Sequence, residues 1–196
     1  TFEIISKEYK KFKINLNFSG KHNIYNALAA TTIALELGIS TKQISSALNN
    51  YSGVRRRFET IYYNNKNEII VIDDYAHHPI EIEYTIQAAK KGWNKRIISI
   101  FEPHLYSRTK NFHKQFAKAL SLSDHIIISD IYGAREKSIK GVSSELIIDD
   151  LHKMNSNQCV YIKDKNEIPQ YINKIIKKND MLILMGAGQI NSITDN

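Results

Sequence analysis

The sequence is poor in residues that crosslink or interrupt a chain, with one cysteine and three prolines among 196 residues. The single cysteine, Cys159, excludes an internal disulfide and is typical of a reducing cytoplasm. Its apolar neighbours favour a buried thiol over a nucleophile.

No apolar run approaches the roughly 20 residues that cross a bilayer, so we expect no membrane insertion. The opening TFEIISKEYKKFKI matches neither a secretory signal nor a transit peptide. It also lacks an initiator methionine, which indicates a piece cut from a longer protein.

The formal net charge of +7 invites a nucleic-acid interpretation. However, the lysines are scattered along the chain and do not cluster in one segment. The chain is also rich in Ile, Lys and Asn, so compositional drift together with small ligands that carry phosphate explains the charge better than a nucleic-acid surface, and we predict no nucleic-acid partner. The charge is also compatible with a non-catalytic module that senses nucleotides or nucleic acid, and we keep this function as an alternative to an enzyme.

Residues 1–53 have a pattern of their own. FEIIS and FKINLNF are typical of short strands, and GKHNIYNALAATTIALELG has helical spacing that Gly38 is expected to end. Ser40 and Gln43 have the spacing of a capping box at the start of a second helix. The segment YSGVRRRFE then breaks the helical pattern at Gly53, so we place a domain boundary there and divide the chain into 1–53 and 54–196.

From about residue 58 the pattern changes to apolar runs that alternate with helical segments. The runs are EIIVID, RIISIF, HIIIS, CVYI and MLILM, and the predicted helices lie near 79–91, 108–120, 143–153 and 166–178. Short buried strands that alternate with helices predict an α/β fold with a doubly wound, mostly parallel sheet.

Polar residues follow the predicted strands at the points where each strand ends. In such a sheet, ligands bind beyond the carboxyl ends of the strands, so these residues are expected to meet at one edge. They are Asp73, Asp74, Tyr75, His77 and His78 after the first run, Glu102, His104, Tyr106 and Arg108 after the second, Asp130, Tyr132, Arg135 and Glu136 after the third, and Gly186 and Gly188 after the last.

Several of these residues also have a purely structural interpretation. His78 and Pro79 suit the start of a helix, and Gly-Ala-Gly suits a tight turn better than a dinucleotide fingerprint. The arginines at 55–57 form either a solvated hinge or a phosphate contact. Asn23 and Asn26 lie on one helical face, as caps or as contacts to a base edge. The carboxylates and histidines after the strands have no recognised metal spacing, so no metal centre is predicted.

Five motifs, GKHNIYNALAA, GVRRRFE, DDYAHHP, FEPHLYSRT and MGAGQI, follow one another in the order and approximate spacing of the Mur ligases. The chain resembles this family over nearly its whole length, and most closely the branch that adds alanine. DDYAHHP and PHxYSRT are the specific signals, whereas GKHNxxNALAA is shared across the family. A murein-peptide recycling branch shares DDYAHHP-type segments but usually lacks the PHxYSRT form, so it ranks second.

The resemblance implies part of a three-domain cytoplasmic ligase of peptidoglycan biosynthesis, a process tied to cell shape and division. With ATP and Mg²⁺, such a ligase phosphorylates the lactyl carboxylate of UDP-N-acetylmuramate, and the amine of L-alanine then attacks the acyl phosphate. Residues 1–53 would be the tail of the central ATP-binding domain. Residues 54–196 would be the Rossmann-like, amino-acid-binding C-terminal domain, and its partners would be the upstream domains of the same enzyme.

The resemblance also implies roles for residues that match the family motifs. Adenine would be contacted by Asn26, with His22 and Asn23 beside it. Arg57 would meet the ATP phosphates on domain closure and assist catalysis, and Asp74 would lie near the ATP ribose. The alanine and the reacting carboxylate would be surrounded by Tyr75, His77, His104 and Arg108. Both histidines would assist catalysis by stabilising negative charge on the phosphate and the tetrahedral oxygen, and a nearby imidazole would take a proton from the alanine ammonium.

Three positions depart from the family pattern. Leu105 stands where many relatives have arginine, Glu102 where glutamine is common, and Gln189 where an aspartate is often found. The sequence also contains no Gly-Thr-x-Gly-Lys-Thr loop to hold nucleotide phosphates. We therefore expect most Mg²⁺ ligands in the missing upstream part, and no ligase activity from residues 1–196 alone.

Overall fold

The computed structural model describes residues 1–9, 11–16, 21–51, 53–154 and 158–194. The chain forms two compact units, Thr1–Arg55 and Arg56–Asn196. This division lies two residues beyond the boundary expected after Gly53. Among the described residues, no helix is both long enough and apolar enough to cross a membrane.

The first unit is a hairpin followed by two helices. Its elements are β1 (Phe2–Ile4), β2 (Phe12–Ile14), α1 (Lys21–Glu36) and α2 (Thr41–Asn50), and β1 pairs with β2 in an antiparallel register. Ser40 caps α2 as predicted: its hydroxyl accepts from the Gln43 backbone N–H, and the Gln43 side chain accepts from the N–H of Ser40. Gly38, just past α1, has a φ of +77°, which glycine adopts without steric cost.

The second unit is a six-stranded sheet with helices on both faces, which confirms the predicted α/β class. The strands are β3 (Glu59–Asn64), β4 (Ile69–Asp74), β5 (Arg96–Phe101), β6 (His125–Ile128), β7 (Cys159–Tyr161) and β8 (Asp180–Met185). Their order is β3-β4-β8-β5-β6-β7, and every pair is parallel except β3 with β4. The sequence pattern did not predict β3, because this edge strand is largely exposed and has no buried apolar run.

The four predicted helices are present, with adjusted ends. They are α3 (Pro79–Gly92), α4 (Tyr106–Leu120), α5 (Glu145–Lys153) and α6 (Ile168–Ile175). The predicted helix near 166–178 is shorter than expected, because its first turn is a separate 3-10 helix, Lys165–Glu167, and Ile176 is already extended.

Two apolar layers cover the sheet. One contains side chains of α3, α4 and α5, such as Ile86, Phe116 and Leu151. The other contains Ile172 of α6 and Ile193 of a C-terminal 3-10 helix, Ile190–Thr194. After β4 and β5 the chain enters helices of the first layer, whereas after β8, which lies between them, it enters the second. A crevice therefore opens at the carboxyl ends of β4, β8 and β5, where ligands bind in sheets of this kind.

Candidate active site

Three buried carboxyl groups lie at the crevice. Asp73 and Asp74 end β4 and Glu102 follows β5, and these residues are 2%, 6% and 4% exposed. Burial raises the pKa of all three carboxyl groups, because a charged carboxylate loses its hydration there. Each carboxyl group has a different set of hydrogen-bond partners, and these partners determine which of its oxygens can contact a ligand.

Arg56 connects the strand ends. Its guanidinium donates to the carbonyls of Gly186 (2.6 Å) and Gly188 (3.0 Å), and its Nε lies 3.3 Å from a carboxylate oxygen of Asp73. The backbone carbonyl of Arg56 also accepts from the N–H of Tyr75 (2.7 Å). A forked donor of this kind holds several acceptors in one geometry, so Arg56 sets the position of the loop after β8. The family resemblance implied a phosphate contact for its neighbour Arg57, and the sequence did not predict that Arg56 is an anchor.

Asp74 organises the backbone around the loop that follows β4. One of its oxygens accepts from the N–H of Phe58 and the other from the N–H of Ala76, both at 2.8 Å. Burial is the largest influence on its pKa and raises it, while these two hydrogen bonds oppose that rise. The proposed ribose contact of Asp74 would therefore add to a structural role that its two oxygens already have.

A row of rings lies along the crevice and includes three of the predicted alanine-side residues. The ring centroids of Tyr75 and His77 are 5.1 Å apart, those of His77 and His104 are 5.9 Å apart, and those of His104 and Tyr132 are 5.8 Å apart. Arg56 and the exposed Arg57 lie over the Tyr75 ring, at 5.0 and 5.8 Å from its centroid. The structure thus brings residues from two different strand ends, and Tyr132 from a third, into one continuous row.

Arg108 lies one helical turn from His104. Its Nη1 is 3.2 Å from the His104 Nδ1. Burial first, and then the Arg108 charge, lower the pKa of His104, so this imidazole is neutral near pH 7. The start of α4 is tied to the loop after β6, because the Glu136 carboxylate accepts from the backbone N–H and the hydroxyl of Ser107. Leu105, between His104 and α4, has a φ of +72°, which an L-residue rarely adopts.

The predicted adenine-side residues lie in the other unit. Asn26 is exposed and Asn23 half-buried on α1, one turn apart. The side chain of His22 lies outside the described residues.

Asp73 and Asp74 do not fit a Mg²⁺ site, because their oxygens already have partners. Asp73 bonds to Arg56 and to the amide of Asn191, and both oxygens of Asp74 accept backbone N–H groups. Within the described parts of the chain, no group of three or more His, Cys, Asp or Glu side chains lies close enough to hold a metal. No step of the chemistry is therefore assigned to a metal held by these residues.

Glu102 is enclosed by the loop after β8. One carboxylate oxygen lies 3.7 Å from the Lys165 Nζ. The other is buried and has no hydrogen-bond partner among the residues that the structure describes. Burial is the largest influence on the Glu102 pKa and raises it, against the opposing effects of Lys165 and the Gln189 N–H.

We predict that Glu102→Gln stabilises the protein increasingly as pH rises. At about pH 3.5, below the ordinary pKa of a glutamate, both side chains are neutral and the two proteins should have similar stability. Above the raised pKa, the folded wild type must hold a buried charge that the glutamine does not carry, so the variant should gain about 1–2 kcal/mol by about pH 7.5. Urea midpoints at the two pH values measure this difference. Glu83→Gln, an exposed position on α3, should show no such trend. A stability difference between Glu102→Gln and the wild type that does not change with pH would contradict the prediction.

The fold and the site define the second unit as a doubly wound α/β domain with a ligand crevice at its strand ends. The family model described as "Mur ligase, glutamate ligase domain" matches residues 56–188, so the chain belongs to the Mur ligase family. This match confirms the resemblance that the sequence motifs indicated.

Named relatives specify the branch to which this chain is similar. It is 40% identical over 97% of its length to the UDP-N-acetylmuramate–L-alanine ligase of Trichlorobacter lovleyi. It is 42% identical over 96% of its length to the ligase of the same name in Clostridium kluyveri. The chain spans 41% of each of these relatives.

Solved structures give the same picture of the fold. The UDP-N-acetylmuramate-alanine ligase of Thermotoga maritima superposes with a TM-score of 0.77 at 30% identity, over 96% of this chain and 39% of that one. A murein peptide ligase of Psychrobacter arcticus superposes with a TM-score of 0.70 at 28% identity, over 94% of this chain and 38% of that one.

Proposed function

We propose that this chain is the amino-acid side of an ATP-dependent ligase that joins L-alanine to UDP-N-acetylmuramate in peptidoglycan biosynthesis. The observation that supports it most is the row Tyr75, His77 and His104 with Arg108 at the crevice, in a chain about 40% identical to ligases of that name. The complete enzyme would act in the cytoplasm. Its ATP and UDP-N-acetylmuramate would be held largely by parts of the enzyme outside residues 1–196.

Arg108 is the candidate for holding the alanine carboxylate. A guanidinium has five N–H donors, and only one nitrogen of Arg108 contacts His104, so a forked pair remains for a carboxylate. Holding the carboxylate in this way leaves the amine free to attack an activated carboxyl group. Such orientation can lower a barrier by as much as about 7–11 kcal/mol when the geometry is ideal.

The nucleotide side is proposed from two places in the chain. Arg57 is exposed beside Tyr75, so its guanidinium is available to an ATP phosphate, unlike that of the anchored Arg56. Asn26, with Asn23 and His22, would contact adenine from residues 1–53, the proposed tail of the central domain. Residues 54–196 would be the C-terminal domain. Mg²⁺ would be held by ligands outside the crevice, because Asp73 and Asp74 are already bonded.

The alternative with a specific observation in its favour is the murein-peptide recycling ligase. The Psychrobacter arcticus enzyme shares the fold at 28% identity. The two branches differ in whether the incoming amine belongs to free alanine or to a preformed peptide.

The function is tested with the complete ligase that contains this chain, supplied with ATP and UDP-N-acetylmuramate. We expect alanine to support amide formation and the tripeptide L-alanyl-γ-D-glutamyl-diaminopimelate not to do so. The reverse preference would assign the chain to the recycling branch. If no amide forms with either alanine or the tripeptide, the remaining hypothesis is a non-catalytic nucleotide-binding module. Residues 1–196 alone should release no phosphate from ATP.

Arg108→Ala in the complete ligase should raise the alanine KM about 100-fold and change the ATP KM by less than threefold. The reason is that loss of a charge-assisted forked pair costs about 2–3 kcal/mol for the substrate that uses it. Initial rates at varied alanine and varied ATP measure both constants. Lys110→Ala, an exposed position on the same helix, is the matched control. Equal losses for alanine and ATP would contradict the carboxylate role.

A further inference from the structure

The hydrogen bonds of His104 determine which of its nitrogens carries the proton. The Arg108 guanidinium has only donors, so the His104 Nδ1, 3.2 Å from it, must be the acceptor. Neutral His104 therefore carries its proton on Nε2. In this tautomer the ring presents a donor and cannot remove a proton through Nε2.

His77 has the opposite arrangement. Its Nδ1 lies 2.9 Å from the backbone carbonyl of Tyr75 and 3.4 Å from a carboxylate oxygen of Glu81. A carbonyl oxygen only accepts, so the Nδ1 must carry the proton. Neutral His77 therefore has its lone pair on Nε2, and among the described residues no group hydrogen-bonds to that atom.

Glu81 holds the two residues that precede α3, His77 and His78. The oxygen beside the His77 ring also accepts from the backbone N–H of His77 (3.0 Å) and of His78 (3.1 Å). Burial alone would raise the pKa of Glu81, but these N–H groups, His77 and the nearby Arg57 outweigh burial and lower it. Glu81 is therefore ionised at neutral pH. Glu81 thus fixes the backbone of His77 and, together with the Tyr75 carbonyl, the side of its ring that carries the proton.

We infer that the two histidines have different roles in the reaction, and that Glu81 is a positioning residue that supports the tautomer of His77 together with the Tyr75 carbonyl. His77 accepts the proton from the amine of the incoming amino acid at Nε2, while Glu81 and the Tyr75 carbonyl keep the proton on Nδ1. His104 donates from Nε2 to the oxygen that becomes negative when the amine attacks the acyl carbon. The proton leaves nitrogen as the C–N bond forms, and the phosphate departs with the electron pair of the broken C–O bond.

This division of roles needs no change of tautomer during the reaction. A base must have a free lone pair and an oxyanion contact must have a proton, and the two rings supply one each at a centroid distance of 5.9 Å. The catalytic part of the inference rests on the proposed ligase function, whereas the tautomers are properties of this chain alone.

The tautomers are tested in ¹⁵N-labelled residues 1–196 by long-range ¹H–¹⁵N spectra of the imidazoles at about pH 8, where unperturbed histidines are neutral. His77→Gln and His104→Gln assign the two rings among the seven histidines. We expect a protonated Nδ1 in His77 and a protonated Nε2 in His104. In Glu81→Gln the Tyr75 carbonyl still accepts, so we expect His77 to keep the Nδ1 proton in its main form and to gain a measurable share of the other tautomer. The opposite tautomer in either wild-type ring, or an unchanged His77 in Glu81→Gln, would overturn the inference.

The role of Glu81 is tested in the complete ligase by single-turnover amide formation. Glu81→Gln keeps an oxygen that can accept from the N–H groups of His77 and His78, so the start of α3 is preserved. Its rate should fall about tenfold, less than the loss of a buried triad carboxylate, because Glu81 is partly exposed and shares the task with Tyr75. The alanine KM should stay within twofold.

Glu83→Gln is the matched control, since Glu83 lies on the same helix and accepts from the Gln87 amide. It should retain the wild-type rate and the wild-type His77 spectrum. If the wild-type ligase uses alanine and Glu81→Gln behaves like Glu83→Gln in rate, the positioning role is wrong. If the wild-type ligase does not use alanine, the proposed function fails, and the spectra still decide the tautomers.

Discussion

Replacing Gly188 with alanine should lower the free energy of unfolding by about 3 kcal/mol. A Cβ at this position would lie 2.0 Å from a carboxylate oxygen of Glu102 and 2.9 Å from both its Cδ and the Tyr132 Cγ. Glu102 is buried, so its side chain cannot swing into solvent to make room. The loop after β8 or the Glu102 carboxylate has to move, and either movement disturbs the hydrogen bonds that Arg56 makes to this loop.

Urea unfolding of residues 1–196, followed by tryptophan fluorescence of Trp93, measures this loss. The matched control is Gly92→Ala, at the end of α3, where an added Cβ meets no atom within 4 Å. That variant should be neutral or more stable by up to about 1 kcal/mol, because alanine favours a helix more than glycine does. Equal midpoints for the two variants would show that the crevice accommodates a methyl group at 188.

Arg56→Ala should destabilise the protein by about 3 kcal/mol near neutral pH. The substitution removes the cation beside Asp73, which is 2% exposed, and the donors to the carbonyls of Gly186 and Gly188. A buried carboxylate left without its partner typically costs about 3–5 kcal/mol, and the low end is expected because Asp73 can take up a proton.

The same argument predicts how this loss varies with pH. Removing Arg56 raises the pKa of Asp73 further above its ordinary value. The stability contributed by the pair is therefore present at high pH and decreases as pH falls and Asp73 is protonated. Unfolding midpoints at about pH 5 and pH 8 test the trend. Arg55→Ala, an exposed neighbouring arginine, should change stability by less than about 0.5 kcal/mol at both. If Arg56→Ala also lowers stability by less than about 0.5 kcal/mol, Arg56 is not the anchor of the loop.

The sequence predicted those elements whose signals are local. The capping pair Ser40 and Gln43, the start of α3 at His78 and Pro79, and the buried strands that alternate with helices all depend on residues a few positions apart. The strand β3 was missed because its residues are exposed or half-buried, so it has no buried apolar run to detect.

The candidate site was predictable by residue type and only in part by role. Motif and strand-end position indicated that Tyr75, His77, His104 and Arg108 belong together, and the structure places them in one crevice. Three adjacent arginines look alike in sequence, however. Which of them is anchored depends on carbonyls that lie 130 and 132 residues further along the chain.

The sequence by itself therefore determined the α/β class, the positions of most helices and strands, and membership of the Mur ligase family, because these depend on periodicity and contiguous motifs. Only the tertiary structure decided that β8 lies between β4 and β5, that Arg56 rather than Arg57 holds the loop, and that His77 and His104 carry their protons on different nitrogens. Each of these depends on partners from separate strand ends, which meet only when the sheet has assembled.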